Sequence, residues 1–430
     1  METPPSAPHL APSAGPAKPR SPRRGLVLIA AFLGWMFDGL EMGIFPLVAR
    51  PALQQMQAEA TGVMTDTFVG HWMGIITALF LVGAACGGLF FGWLGDRVGR
   101  VRAMSLSILC YSLFTGLAYF AQEPWHLGAL RFLAALGMGG EWALGVALVM
   151  EVWPEQHRPM LAGIIGAAAN VGFALIGLIG MGFHVTQESW RFVLLIGALP
   201  AVLTFFIRLF VPESERWEQV AVAHPDRQPL REVLRPPYLR STLMATSFCA
   251  IALIGTWGTL QWLPLWADQM TGGLMPGAKA QTATLSAFGA IIGCVLGGWI
   301  GGFFGRRVTF FALCLGSLLT CLVMFNTVST YGPGFLALTF IAGMLTASFY
   351  GWFPLYLPEL FPTRIRATGQ GLAFNAGRIF AAVGALQMGA LIQHFDGSYA
   401  RAGAVITLVY ALGLVIVWFA PETKGRPLPA

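Results

Sequence analysis

Several side chains able to carry protons or hold an anion stand inside long apolar stretches of this 430-residue sequence. Asp38 and Glu41 are spaced i, i+3, so on a helix they share one face. Two carboxylates close together in a low-dielectric medium cannot both keep their charge cheaply, and one then takes up a proton near neutral pH. That is proton-carrying chemistry. The competing reading makes one of the two a tether, paired with a cation such as Arg131. Arg131 and Glu141 lie about 15 Å apart along one helix, too far to bond each other. Each is read either as part of a proton path or as a structural contact. Arg378 offers a planar fork that fits a carboxylate with two parallel hydrogen bonds. It is expected to clamp an anionic substrate, with an interhelical ion pair as the alternative. Asn375 stands on the same face. Trp257, Gln261 and Tyr350 add rings and an amide for binding, although a Trp near the end of a span is also an ordinary interfacial anchor. No metal-ligand spacing, nucleotide loop or nucleophile elbow occurs. No metal, cofactor, enzymatic activity or ATP-driven step is therefore expected.

An ionisable group at mid-bilayer costs about 2.5–3.5 kcal/mol on insertion scales, so these residues need elements that hide them. The sequence is 56% hydrophobic and only 11% charged, against roughly 25% charged for soluble domains. A spanning helix needs about 20 apolar residues. Twelve such stretches can be placed, near 25–48, 71–93, 102–121, 126–150, 159–183, 191–211, 241–267, 281–303, 308–326, 335–357, 367–393 and 402–420. Lys and Arg crowd the connections that share a face with the N-terminus, among them Arg97, Arg100, Arg158, the Arg-rich 212–240 segment, Arg306 and Arg364. The opposite connections hold only Arg50, Arg191, Lys279 and Arg401. Positive residues stay inside, so a multi-pass inner-membrane protein with both termini cytoplasmic is expected. The net charge of +6 follows from that bias and implies no nucleic-acid partner.

The chain repeats itself. GWLGDRVGR at 92–100 aligns with GWIGGFFGR at 298–306, with Gly99 against Gly305, Arg100 against Arg306 and Asp96 against Gly302. EVWPEQHRPMLAG at 151–163 aligns with ELFPTRIRATGQG at 359–371, and PES at 212–214 with PET at 421–423. The nearly constant offset predicts an all-α membrane protein whose twelve transmembrane helices form two pseudo-symmetric six-helix bundles, parallel repeats about an axis along the membrane normal. The expected parts are a disordered cytoplasmic tail at 1–24, bundles at 25–211 and 241–420, a linker at 212–240 and a tail at 421–430. Asn170 is the repeat partner of Arg378 and is expected to line the same site. Glu151 with Arg158, and Glu359 with Arg364 and Arg366, are expected to form matching charge networks on the inside face. The glycine stripes at 83, 87, 88 and 92 and at 289, 293, 297 and 301 are read as close helix contacts between the halves.

GWLGDRVGRVR resembles the signature between helices 2 and 3 of the major facilitator superfamily. The resemblance covers the chain after about residue 25. PESERW, YLPELFPTRIRATGQG and PETKG are similar to the sugar-porter side of that family. FDGLEMGIF and GMGGEW are more similar to the sialate and aromatic-acid proton symporters, with Glu41 where the aromatic-acid group carries Asp. The resemblance implies the major facilitator fold and a secondary active carrier working by alternating access. Its cargo would be a small organic anion (a monocarboxylate, a sialate or an aromatic acid) moved with protons, with a neutral sugar as the alternative. It implies a proton-transfer role for Arg131. It also implies that Asp96, with Arg97 and Arg100, latches the inside face shut against the other half. The expected partners are the substrate, protons and the lipid bilayer, around a monomer.

Overall fold

The protein is described by a computed structural model covering residues 24–62, 66–182, 185–223, 228–272, 274–275 and 277–429. Apart from Arg24, the tail expected at 1–24 lies outside the described residues. The first half contains α1 (Arg24–Thr61), α2 (Asp66–Val98), α3 (Arg100–Leu117), α4 (Pro124–Val152), α5 (Arg158–Gly182) and a sixth crossing made of α6 (Trp190–Ile196) and α7 (Pro200–Phe210). The connecting segment holds the short helices α8 (Glu215–Ala223) and α9 (Pro229–Val233). The second half runs through α10 (Leu239–Thr259), α11 (Leu263–Met270), α12 (Ala278–Phe304), α13 (Arg306–Thr327), α14 (Pro333–Tyr356), α15 (Arg366–His394), α16 (Tyr399–Thr407) and α17 (Val409–Ile416). Among the described residues no strand occurs. In lipid every backbone polar group must be satisfied internally, which leaves helices as the solution for these apolar runs.

Among the described residues, ten helical segments are long and apolar enough to span a membrane. The other two crossings are the sixth, made of two short apolar helices between Trp190 and Phe210, and α15, which carries Arg366, Gln370, Asn375 and Arg378 among its apolar residues. α1 continues beyond the expected end near 48, to Thr61.

The glycine stripes meet the expectation in part: Gly88 and Gly92 reach the other half, and the remaining members pack within their own. Gly289, Gly293 and Gly297 face the backbone of α14 at Phe340, Met344 and Ser348, and Gly301 faces Trp352. That stripe packs within the second half. Gly83 and Gly87 likewise face α4 at Phe132 and Leu136. The contacts between halves come from Gly88 and Gly92 of the first stripe and from Gly298 beside the second. A Cβ on Gly88 would meet Asn375 of α15, one on Gly92 would meet the Ala367 carbonyl, and one on Gly298 would meet Pro159 and Gly163 of α5. Successive residues point about 100° apart on a helix of 3.6 residues per turn. A Gly-Gly pair therefore lets α2 and α12 be approached on two faces, one by the same half and one by the other.

The turns α2–α3 and α12–α13 are built alike. Gly99 and Gly305 have φ of 114° and 99°, a region open to glycine at no steric cost. Each turn is capped by an acid from the end of its own half. Glu213 accepts from the Arg100 and Val101 amides, and Glu422 from those of Arg306 and Arg307. These contacts gather the 92–102, 151–158, 298–307 and 359–366 turns, the connecting segment and residues 421–429 on one face, called the linker face below.

Candidate functional site

α1, α4 and α15 bring three charges to one level. At 1.5 Å per residue, Asp38, Glu141 and Arg378 stand about 16–21 Å from the linker-face ends of their helices, near mid-membrane. All three are buried. Asp38 and Glu141 face each other. As carboxylates, none of their four oxygens has a donor partner among the described residues. A proton held between them would convert this into a carboxylic acid donating to a carboxylate. Arg378 donates to Asn375 Oδ1 at 3.1 Å, and its charge acts on Asp38 without a direct ion pair among the described residues.

Glu41 points elsewhere. It accepts from the Arg131 guanidinium, and from the Thr115 hydroxyl at 3.0 Å. Arg131 also lies over the rings of Phe45 and Phe80, at 5.0 and 4.6 Å. The i, i+3 acids thus have different partners: Asp38 meets Glu141 on α4, and Glu41 takes the tethering geometry with Arg131.

Asn375 joins the halves. Its Nδ2 donates to Gly139 O on α4 at 3.1 Å and to Gly371 O at 2.8 Å. Asn170 reaches Cys294 Sγ on α12 at 3.7 Å, so the repeat partner of Arg378 sits at the other seam. The Tyr350 hydroxyl approaches Thr256 and Trp257 but makes no hydrogen bond among the described residues. Gln261 is exposed, in the single turn between α10 and α11, and is not brought to this level. Sequence reasoning missed an aromatic group beside the charges, Trp35, Trp142 and Phe374. Aromatics in an apolar run look like ordinary core. It also missed Gln370, which is buried with neither amide atom partnered among the described residues.

On the linker face Asp96 crosses between halves. It accepts from the Ala367 and Thr368 amides at 3.2 and 2.7 Å and from Arg100 at 2.7 Å. Amides in the first turn of α15 have no helical acceptor and carry its positive dipole end. Arg97 stands exposed over the Trp93 ring, 5.5 Å from its centroid. The charge networks pair differently from expectation. Glu151 accepts from Arg100 at 3.1 Å, from Arg366 of the other half at 2.8 Å and from Ser214 at 2.5 Å, not from Arg158. Arg158 binds Glu155 and the Met150 carbonyl. Glu359 accepts from Arg306 and Thr423, while Arg364 binds Glu232 and Tyr238 in the connecting segment. The reason is geometric: α3 and α13 start beside the ends of α4 and α14, so their first arginines reach the acids before residues beyond the next turn can.

The latch has no copy in the second half, for two reasons. Gly302 replaces Asp96, and a Cβ there would meet Pro159 at 2.5 Å. Pro159 stands where the first-half latch finds Ala367, and proline has no N–H to donate. The alignment of HRPM with IRAT carried this signal.

A family model for the major facilitator superfamily matches residues 26–385. The chain belongs to the major facilitator superfamily. A probable 4-methylmuconolactone transporter of Cupriavidus pinatubonensis is 31% identical over 416 residues, covering 95% of this chain and 93% of that one. A cis,cis-muconate transport protein of Acinetobacter baylyi is 28% identical over 414 residues, covering 94% and 95%. The solved structure of a proton:xylose symporter superposes with a TM-score of 0.74 over 94% of this chain and 98% of that one; at 17% identity this is a likeness of fold. The protein is a multi-pass membrane transporter of this superfamily with twelve helices in two six-helix bundles, and not an enzyme.

Proposed function

We propose that this transporter moves a small organic anion together with protons, through a site formed by Asp38, Glu141 and Arg378. The observation that carries the reading is the facing pair of buried acids, without donors among the described residues, beside a buried Arg378 that has no direct carboxylate partner among them. With one proton shared between the acids, the three groups sum to zero charge. A substrate carboxylate that takes the Arg378 fork adds a negative charge in a low-dielectric place, and a second proton on the acid pair restores neutrality. Anion and proton thus favour each other's binding, and linkage makes the effect reciprocal. The relatives named as muconate and methylmuconolactone transporters support an acidic cargo. The PES and PET signatures, which resemble sugar porters, serve here as helix caps on the linker face and stand away from the charged site.

In this reading the linker face is cytoplasmic, and Asp96, Arg100, Glu151 and Arg366 hold it shut while the site faces outward. Uptake of radiolabelled cis,cis-muconate and benzoate into proteoliposomes with an imposed pH gradient tests the coupling. Uptake is expected to quicken when the outer solution is made acidic. Fluxes indifferent to the gradient would refute proton coupling, and an absence of acid flux alongside xylose uptake would refute the cargo.

A further inference from the structure

Phe374 lies one turn from Arg378 on α15, about 6 Å nearer the linker face. Its ring stacks on the Trp142 indole of α4, with centroids 4.3 Å apart and planes 20° apart. Trp35 of α1 meets it edge-on at 6.4 Å, and Tyr350 and Phe353 of α14 do so at 6.5 and 6.2 Å. These rings, drawn from both halves, fill the level between the charged site and the latch. The Arg378 guanidinium rests 5.1 Å from the Phe374 centroid. The same guanidinium donates to Asn375, whose amide holds the Gly139 carbonyl of α4. Gly139 and Trp142 are spaced i, i+3 and share one face of α4. One cation therefore braces two separate contacts between α15 and α4: a ring stack and a hydrogen bond.

We propose that Phe374 and Asn375 are positioning residues that couple occupation of Arg378 to opening of the linker-face gate. Arg378 has a limited set of donors in a fixed plane. An anion that engages the fork turns it away from Asn375 Oδ1 and from the Phe374 face. Asn375 and Phe374 then lose the charge that orients them, and the two grips of α15 on α4 weaken together. Opening between the halves follows where α15 crosses α4 and α2. This rests on the reading that Arg378 holds the anion, but its test needs no anion.

Replacing Arg378 by Gln withdraws the guanidinium directly. Gln370, buried between Phe374 and the latch residues of α15, reports on the gate when replaced by Cys. Its labelling by a membrane-impermeant maleimide is measured from the linker face in reconstituted vesicles, with the native cysteines replaced by serine. Arg378→Gln and Phe374→Leu are each expected to raise the labelling rate at least about fivefold, the low end of usual site-to-site coupling. The double variant is expected to match the faster single one, because both changes cut the same link. Unchanged labelling in Arg378→Gln, or rates that multiply in the double variant as for independent loosening, would overturn the coupling. An Arg378 that gates but binds no acid would sink the anion reading alone. Phe374→Leu keeps apolar bulk and reads the link from its other end if Arg378→Gln does not fold.

Discussion

Glu41 and Glu141 are buried acids on neighbouring helices, and their surroundings assign them opposite behaviour. Glu41 balances Arg131, and breaking a buried pair by removing one partner costs about 3–5 kcal/mol. Glu41→Gln is expected to lower the melting temperature of the detergent-solubilised protein markedly, while any folded fraction keeps its response to a pH gradient. Glu141 has no cation bonded to it among the described residues, so Glu141→Gln is expected to melt near the parent. Its acid uptake should become indifferent to the imposed gradient while exchange of acid for acid survives. The reverse pattern in these two variants would exchange their roles. Arg378→Gln removes a charged donor worth about 1.5–3 kcal/mol, so acid binding measured by ligand-induced thermal shift is expected to weaken by roughly ten- to a hundredfold. The charged residues at this level were legible in the sequence because ionisable side chains are conspicuous against lipid. Their pairing was not. An i, i+3 spacing shows that Asp38 and Glu41 share a face, but it does not say that α4 offers Glu141 to one and Arg131 to the other.

At the scale of elements, the latch depends on how α15 begins. Asp96 occupies the N-terminal amides of that helix, and Ala367 supplies one of them. The homologous start of α5 has Pro159, with Arg158 in the helical region just before it, so a proline is sterically acceptable there. Ala367→Pro is therefore expected to fold. It removes one donor to a buried carboxylate, a loss of about 1–3 kcal/mol, and shifts the carrier toward opening on the linker face, read as faster maleimide labelling there. Labelling at the parental rate would show that Asp96 does not hold the face shut. The two capping acids differ in a related way. Burial pushes Glu213 above the usual carboxylate value. Burial also works to raise Glu422, but the amides of Arg306, Arg307 and Lys424 outweigh it and hold its carboxyl below that value. A lowered value contributes stability that is present above the ordinary carboxylate range and lost as pH falls through the lowered value. Acidification should therefore destabilise the parent more than Glu422→Gln, as read by melting temperature against pH. The sequence repeat named Glu151, Glu359 and Arg366 in these networks, but alignment cannot show that α3 and α13 bring Arg100 and Arg306 to the acids in place of Arg158 and Arg364.

At the scale of the molecule, two seams join the halves and are related by the internal repeat. In one, α2 crosses α15, with Gly371 against the Gly88 carbonyl and Gly92 against the Ala367 carbonyl. In the other, α12 crosses α5, with Gly163 against Val295 and Gly298 against Pro159. Gly163 and Gly371 are repeat partners, so the sequence marked both crossings, although the glycine stripes first drew attention to the faces buried within each half. Carriers of this architecture rock one bundle against the other about a central site, and the seams must part on the linker face when that face opens. A Cβ on Gly371 would stand 2.5 Å from the Gly88 carbonyl, and one on Gly163 would stand 2.7 Å from the Val295 carbonyl. Both approaches are too close for backbone neighbours, so a methyl group at either position wedges its seam. Gly371→Ala and Gly163→Ala are each expected to favour the conformation open on the linker face and to slow net transport, while leaving binding at the charged site within about threefold, less than 1 kcal/mol. Two labels placed on opposite halves of the linker face, with distances measured by spin-label spectroscopy, check this. The wedged variants should show a larger share of the long distance than the parent, and by similar amounts in the two if the seams open as one. A change confined to one seam would mean that the latch at Asp96, and not the symmetric glycine packing, sets the balance between the two states.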